Sequence, residues 1–353
     1  MTDRPIPPLP REPTVTLVVA MRNEEAAIER CIRSLLGQNY PAGRLEILVY
    51  DGESGDRSPT IAEGLLAGRH LSAVRRNPRR TQASSWNLGI AAAVGDVIGI
   101  VSGHGILDVD YVSAAVECLA RTGADMVGGP VRAIGSGAVG EAIALAVSTP
   151  FGVGGARFRY LDREERVDTV FMGVCRAETY RRYRFDETMA RNQDDELSYR
   201  ILDDGGTIIC SPQIRSTYLA RASLGTLWTQ YQDYGHWKVR VAELHPSQVR
   251  FRHVAPSVFV GGLTALAAAS LVWRPAALGL VAALASYGAA MAVQIAAIRR
   301  RAGAPTLACL PIVFVVLHAS YGLGFLRGLL EHPVRAKTLV AEVSRSILGR
   351  VRR

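Results

Sequence analysis

The C-terminal part of this sequence contains three long apolar runs without a charged residue. They span residues 254–273, 275–298 and 302–326, and each is close to the ~20 residues that a helix needs to cross a membrane. Buried helices of a soluble domain are the alternative, but three such runs in series are typical of membrane proteins. The sequence therefore predicts membrane helices within residues 251–330, preceded by a separate domain over residues 14–250.

Basic residues concentrate beside these apolar runs, and the chain has a net charge of +9. Arg250 and Arg252 precede the first run, and three consecutive arginines at 299–301 separate the second from the third. Because cytoplasmic loops are enriched in Lys and Arg, we expect a multi-pass protein of the inner (plasma) membrane with a cytoplasmic N-terminal domain. A third full crossing would export the basic residues that follow it. We therefore expect the third run, which contains Pro311, to be re-entrant or interfacial.

Two terminal segments have compositions of their own. Residues 1–13 are proline-rich and charged, which predicts a disordered lead-in rather than a signal peptide. Residues 331–353 have a basic, amphipathic pattern that suits a helix on the inner membrane surface, with an ordinary solvated helix as the alternative. Basic residues that flank apolar spans and lack interleaved aromatic residues indicate contact with membrane lipids and no nucleic-acid partner.

Five cysteines are scattered along the chain, and no two of them form a CxxC pair. This spacing argues against a zinc site and against a disulfide framework. We therefore expect reduced and mostly buried thiols.

Strands and helices alternate from residue 14 to residue 102. The segments "TVTLVVA", "LEILVYD", "SAVRR" and "DVIGIVSG" have the apolar, β-branched character of strands, and helical patterns lie between them. This alternation predicts an α/β fold with right-handed parallel crossovers. Because ligands bind beyond the C-terminal ends of such strands, the turns "RNEE", "DGESGD" and "SGH" should meet at one crevice. No GxGxxG or GxxxxGK[ST] motif follows the first strand, which argues against dinucleotide-binding and P-loop sites.

Asp51 stands at the end of the second predicted strand. A carboxylate at that position can accept hydrogen bonds from the N–H of a base or from a ribose hydroxyl. The alternative is that Asp51 caps the next helix, although Ser54, Asp56 and Ser58 are also capping candidates.

Six segments, taken in order and spacing, resemble the family 2 glycosyltransferases of GT-A fold, a Rossmann-like mixed sheet flanked by helices. Within that family the chain looks most like the membrane-anchored sugar transferases of succinoglycan biosynthesis, and the resemblance covers residues 14–330. The segments are "VVAMRNEEAAIERCIRSLLGQNYP", "EILVYDGESGDRSPTIAE", "NPRRTQASSWNLGIAAAVGDVI", "SGHGILDVDYV", "FMGVCRAETYRR" and "RNQDDELSYRI".

The resemblance implies a set of site residues. The segment from Ser102 to His104 falls on the family's D-x-D or D-x-H metal motif, with Ser102 in the place of the usual acid. "NQDDEL" falls on the motif of the catalytic base, which assigns Asp194 to that role with Asp195 beside it. The residues implied to bind the nucleotide-sugar are Ala20, Arg22, Glu24, Asp51, Ser102 and Gly103, and the implied metal ligand is His104.

A base at Asp194 fits an inverting transfer, in which the acceptor hydroxyl loses its proton as it attacks the anomeric carbon. The alternative interpretation of "DDEL" is a solvated helix start, where acidic residues are favoured.

The loss of an acid at Ser102 leaves three possibilities for the donor diphosphate. A divalent metal, Mn²⁺ or Mg²⁺, can bind through His104, the phosphate oxygens and water. Arg79, Arg80 or other basic residues can replace the metal as phosphate clamps. The third possibility is an inactive protein that only binds. Asp108 and Asp110 lie too far beyond the strand, and Asp110 is expected to cap the following helix.

The resemblance implies an enzyme, a hexosyltransferase that moves a sugar from a nucleotide-sugar, by default UDP-linked, to a lipid-linked or polysaccharide acceptor at the cytoplasmic membrane face. Such activity belongs to exopolysaccharide or cell-envelope biosynthesis. The alternatives are transfer to polyprenyl phosphate itself and a non-catalytic membrane scaffold that binds nucleotide-sugar.

Overall fold

The computed structural model describes residues 8–331. Most of the predicted lead-in, and all but the first residue of the predicted surface helix at 331–353, therefore lie outside the described residues. By their contacts, the residues form two compact units. The first contains the chain up to Arg132 together with Arg157–Leu219, and the second contains Ala133–Ala156 and the chain from Ala220. The domain boundary at residue 250 stays a prediction.

An eight-stranded mixed sheet forms the first unit, in the order β3-β2-β1-β4-β9-β6-β10-β8. Its first half confirms the predicted strand–helix alternation, because β1 pairs in parallel with β2 and β4, and β2 pairs in parallel with β3. The elements of this half are β1 (Val15–Met21), α1 (Ile28–Leu36), β2 (Leu45–Asp51), α2 (Ser58–Leu66), β3 (Ser72–Arg76), α3 (Gln82–Ala92) and β4 (Val97–Ser102).

The second half of the sheet is mixed, since β9 runs antiparallel to both β4 and β6. A separate antiparallel pair joins β5 to β11. The remaining elements of the first unit, with β7 continuing into the second, are β5 (Gly105–Leu107), α4 (Tyr111–Thr122), β6 (Met126–Gly128), β7 (Val131–Ile134), β8 (Glu165–Arg166), β9 (Val174–Arg176), α7 (Ala177–Arg182), α8 (Gln193–Asp203), β10 (Ile208–Cys210) and β11 (Ser216–Leu219).

Strand β1 lies at the centre of the sheet and is buried along its whole length. Its side chains alternate between two hydrophobic cores, with Leu17 and Val19 in one and Val18 and Ala20 in the other. A strand covered on both faces needs a continuous apolar sequence, which explains the run "VTLVVAM". The thiols follow the prediction: all five cysteines are free, four are buried, and burial raises the pKa of Cys31 to about 12.

Helix α3 approaches β1 so closely that only glycine fits at residue 89. A Cβ added to Gly89 would lie 2.0 Å from Cγ1 of Val18. We therefore expect Gly89→Ala to lower the free energy of unfolding by at least ~1–3 kcal/mol, the usual cost of overpacking a core. Chemical denaturation measures the change. Gly64→Ala in α2, where an added Cβ meets nothing within 4 Å, is the matched control and should be neutral or stabilising; equal losses in both variants would contradict the packing argument.

The second unit is helical. It contains α5 (Gly137–Ala146), α6 (Pro150–Val153), α9 (Leu224–Leu244), α10 (Phe251–Ser270), α11 (Arg274–Ile298) and α12 (Ala304–Glu331). The last three are long and apolar enough to cross a membrane, as the sequence predicts. They differ in how much of their most apolar stretch is buried inside the protein, which is 17% for α10, 6% for α11 and 50% for α12.

Helix α12 runs without a break through Pro311. A proline removes one hydrogen bond from a helix, but α12 continues and packs against neighbouring elements beyond it. On one side α9 supplies this packing, because a Cβ on Gly324 would lie 2.0 Å from the carbonyl oxygen of Gln232. On another, the His318 ring contacts the Tyr287 hydroxyl and the Phe151 carbonyl oxygen, both at 2.8 Å. The re-entrant course of this segment stays a prediction.

Candidate functional site

The C-terminal ends of β1, β2 and β4 meet, as the sequence predicts. In the sheet register, Ala20 lies between Tyr50 on one neighbouring strand and Ser102 on the other. The Gly103 backbone N–H donates to the Ala20 carbonyl oxygen at 2.9 Å. The three polar turns that follow these strands therefore border one crevice, the place where parallel sheets bind ligands.

Asp51 is buried at the edge of this crevice and is held by a serine of its own turn. Its carboxylate accepts from the Ser54 hydroxyl at 2.6 Å and from the Ser54 backbone N–H at 3.2 Å. Ser54 in turn accepts from the Asn23 backbone N–H at 2.8 Å, which joins the first two turns. Helix α2 begins only at Ser58, so Asp51 is not its N-cap.

Strained backbone concentrates around the crevice. Asn23, Glu53 and Arg80 have φ values of 53°, 57° and 61°, and each lies in the turn after one of the first three strands. Asn192, directly before α8, has a φ of 59°. Left-handed backbone at residues other than glycine costs energy and persists where the surroundings fix it, which is common at functional sites.

Glu24 and His104 form a contact across the first and third turns. Glu24 Oε1 lies 2.8 Å from His104 Nδ1, and both side chains are partly exposed. Gly103 makes room for this contact, because a Cβ at that residue would lie 3.0 Å from Glu24 Cγ. The predicted nucleotide-contacting residue Glu24 thus lies against the predicted metal ligand.

Acidic side chains are sparse at the position of the metal motif. Among the described residues, no three His, Cys, Asp or Glu side chains are close enough to hold a metal ion. Ser102 is only 2% exposed, and the two nearby acids are engaged elsewhere: Asp108 pairs with Arg215 at 3.0 Å, and Asp110 accepts from Asn39 at 3.1 Å. The protein can therefore supply only a small ligand set here.

The two arginines considered as phosphate clamps are paired with carboxylates. Arg79 pairs with Glu187, and Arg80 pairs with Glu53, which also accepts from Arg76. Hydrogen bonds from Arg80 and then from Arg76 lower the pKa of Glu53. Both guanidinium groups are largely exposed, but a phosphate would have to compete with these carboxylates.

The predicted base lies in the first turn of α8. Asp194 Oδ1 accepts from the Asp195 backbone N–H at 3.0 Å, and both carboxylates are partly exposed. Glu196 is buried and pairs with Arg200 at 2.7 Å, which indicates a structural role. Asp194 and Asp195 are therefore the two acids of "DDEL" that are partly exposed; their catalytic role stays a prediction.

Two glutamines that the sequence analysis did not single out connect β4 to α8. Gln82 Nε2 donates to the Ser102 hydroxyl at 3.0 Å, and Gln193 Nε2 donates to Gln82 Oε1 at 2.9 Å. We call Ser102, Gln82 and Gln193 the amide bridge. Along the sequence, Gln82 lies 20 residues from Ser102 and 111 residues from Gln193. The sequence offers only two hints of the bridge: Gln82 begins a predicted helix beside the site, and Gln193 directly precedes Asp194.

Comparison with known proteins finds a matching family model and relatives of this chain. Residues 16–185 match the model of glycosyl transferase family 2. The succinoglycan biosynthesis protein ExoA of Rhizobium meliloti is 28% identical over 89% of this chain and 94% of its own length. A dolichyl N-acetyl-α-D-glucosaminyl phosphate 3-β-D-2,3-diacetamido-2,3-dideoxy-β-D-glucuronosyltransferase of Methanococcus voltae is 24% identical over 90% of this chain and 97% of its own length.

The fold has a solved counterpart. The mannosyltransferase PcManGT of Pyrobaculum calidifontis, in complex with GDP-Man and Mn²⁺, superposes with a TM-score of 0.53 and 17% identity, over 93% of this chain and 90% of that one. This likeness shows the GT-A fold. Together with the match to the family model, it shows that residues 16–185 form a glycosyl transferase family 2 domain.

Proposed function

We propose that this protein is an inverting glycosyltransferase that moves a sugar from a UDP-linked donor to a lipid-linked or polysaccharide acceptor at the cytoplasmic face of the membrane. The observation that carries this proposal is the position of Asp194. It lies in the first turn of α8, and the neighbouring Gln193 is hydrogen-bonded through Gln82 to the end of β4. An acid is thus held next to the crevice in which a nucleotide-sugar would bind.

Asp194 would act as the general base. The acceptor hydroxyl attacks the anomeric carbon from the side opposite the diphosphate, its proton passes to an Asp194 oxygen, and the bond between carbon and diphosphate oxygen breaks. The transition state resembles an oxocarbenium ion, as in glycoside hydrolysis. The N-terminal end of α8 supports this role, since helix dipoles stabilise negative charge there.

Asp51 and its neighbours would hold the nucleotide. The Asp51 carboxylate is fixed by two bonds from Ser54, and a fixed acceptor suits the N–H of a base or a ribose hydroxyl. Ala20, Arg22 and Gly103 border the same crevice through their strand ends. Buried Ser102 has its hydroxyl engaged by Gln82, so we assign it no direct contact with the donor.

His104 suits a divalent metal of the Mn²⁺ or Mg²⁺ type. A histidine that binds a metal usually donates its other ring N–H to a carboxylate, and Glu24 lies at hydrogen-bonding distance from Nδ1. This leaves Nε2 as the ligand atom, and an imidazole ligand favours Mn²⁺ over Mg²⁺. Such an ion would neutralise charge on the leaving diphosphate. Because the protein contributes few ligands, donor phosphate oxygens and water would complete the coordination.

A lipid-linked acceptor fits the apolar helices α10, α11 and α12. The Methanococcus voltae relative carries a dolichyl-linked sugar phosphate in its name, and the Rhizobium meliloti relative is named for succinoglycan biosynthesis. Holding an enzyme at the membrane raises the effective concentration of an acceptor in the same membrane. The arginines at 299–301 favour a cytoplasmic position for the turn after α11.

A panel of donors tests the proposal. Detergent-purified full-length protein is incubated with several UDP-sugars and GDP-sugars in Mn²⁺, Mg²⁺ or EDTA, with membrane lipid extract as the source of acceptor, and release of nucleoside diphosphate is measured. We expect turnover of a UDP-sugar that requires metal. Release from a GDP-sugar alone would contradict the UDP assignment, and nucleotide binding without release from any donor would favour the non-catalytic scaffold.

A further inference from the structure

The amide bridge links the place of the lost acid to the helix that carries the proposed base. It starts at Ser102 on the last residue of β4, passes through Gln82 at the first residue of α3, and ends at Gln193 on the first residue of α8. Ser102 and Gln193 are 2% and 4% exposed. Gln82, between them, is partly exposed. Breaking either hydrogen bond would leave a polar group of Ser102 or Gln193 buried without its partner, which costs free energy because that group has lost its solvation.

The bridge has a defined direction. Gln193 donates to the oxygen of Gln82, and the nitrogen of the same Gln82 amide donates to the Ser102 hydroxyl. A serine hydroxyl accepts this bond as a carboxylate would. An uncharged serine at residue 102 can therefore hold Gln82 in place, although it lacks the charge of the usual metal ligand.

The segment before α8 needs such an anchor. Asn192 has a left-handed backbone with a φ of 59° and precedes Gln193 directly. Further along the helix, Glu196 pairs with Arg200 and Ser198 contacts Thr169 at 3.2 Å. The bridge reaches Gln193, the residue adjacent to Asp194, from the end of β4.

We propose that Ser102, Gln82 and Gln193 are positioning residues that set the distance between the end of β4 and Asp194. This inference rests on the proposed function of Asp194. Ser102 then has a role in place of metal ligation: it fixes the first turn of α8 relative to the donor crevice. The bridge matters for rate because a displacement of about 1 Å between reacting groups can cost ~10²-fold.

Ser102→Ala tests the inference, since it removes the hydroxyl and little else. We expect kcat to fall by about tenfold or more, within the ~10²-fold of such a displacement, while KM for the donor stays unchanged. Ser198→Ala is the matched control, because it removes another buried hydroxyl from a contact of α8. It should change stability to a similar extent without changing kcat.

A double-mutant cycle and hydrogen exchange complete the test. Gln82→Met keeps the length of the side chain, and combining it with Ser102→Ala should cost less than the sum of the single losses, because both remove the same bond. Backbone amides at residues 194–197 should exchange faster in Ser102→Ala than in Ser198→Ala, a result that does not depend on turnover. Additive losses, or kcat and exchange equal to the control, would overturn the inference. Absence of turnover in the unmodified protein would reject the proposed function, and the exchange result would still decide whether the bridge orders α8.

Discussion

Asp194→Asn should lower the rate of sugar transfer by ~10²–10⁴-fold, the usual contribution of a positioned general base. The amide has the size of the carboxylate but cannot take the proton of the acceptor hydroxyl. It can still accept the backbone N–H of Asp195, which bonds to Asp194 Oδ1 at 3.0 Å. The first turn of α8 should therefore keep its structure, and nucleotide affinity measured by calorimetry should stay within a few-fold of the original.

Two further variants of α8 show whether this loss is specific to Asp194. Asp195→Asn changes the other partly exposed acid of the same turn, and a larger loss there than at Asp194 would move the base to Asp195. Asp203→Asn changes an acid at the opposite end of α8 and should leave transfer intact. If Asp194→Asn retained full transfer activity, the assignment of the base would be wrong.

His104→Ala should weaken Mn²⁺ binding in the presence of UDP by more than ~100-fold, because it removes the ligand itself. Removing only the residue that hydrogen-bonds a metal ligand costs ~10–100-fold. Electron paramagnetic resonance of free Mn²⁺ measures this affinity without any turnover. Glu24→Ala should cost ~10–100-fold, because it removes the group that orients His104. Glu24→Gln should cost less, since the amide oxygen still accepts from Nδ1–H. His70→Ala, at an exposed histidine before β3, is the control and should change nothing.

The same variants distinguish the metal from arginine clamps. Turnover that survives EDTA and is unaffected by His104→Ala would contradict the metal site and would point to Arg79 or Arg80. In that case Glu53→Gln, which frees Arg80 and Arg76 from their shared carboxylate, should raise nucleotide affinity rather than lower it.

The first half of the fold could be predicted from sequence because its signals are local. Each of β1, β2 and β4 is a continuous apolar run covered on both faces, and each is followed by polar residues. Parallel connections of this kind have one handedness, so local patterns were enough to bring Asp51 and Ser102 to one edge. The antiparallel strand β9 could not be predicted in the same way, since three residues, Val174–Arg176, carry no periodic pattern.

The contacts of the site side chains could not be predicted from the sequence. The contact between Glu24 and His104 joins residues 80 positions apart and depends on the space above Gly103. The amide bridge depends on two glutamines whose type alone predicts nothing. Sequence patterns therefore predicted which strand ends meet, while the structure identified the partners that hold Glu24 and Ser102.

For helix α12 too, the sequence predicts the kind of element but not its packing. Its apolar composition predicted a membrane segment, but its packing against α9 arises from glycines at close approaches, such as Gly235 and Gly324, which are read as helix-weakening residues in isolation. Half of its most apolar stretch is covered by protein, so composition alone could not separate it from α11.

Transfer of a labelled sugar into lipid tests the central claim most directly. Full-length protein in vesicles that contain native membrane lipid extract is incubated with a radiolabelled UDP-sugar, and label is counted in the organic-soluble fraction. We expect labelled lipid with the unmodified protein and almost none with Asp194→Asn. A product that is a polyprenyl phosphate carrying only the new sugar would identify transfer to polyprenyl phosphate itself. Nucleotide binding with no labelled lipid, labelled polysaccharide or free sugar from any donor would contradict the assignment of this chain as an active glycosyltransferase.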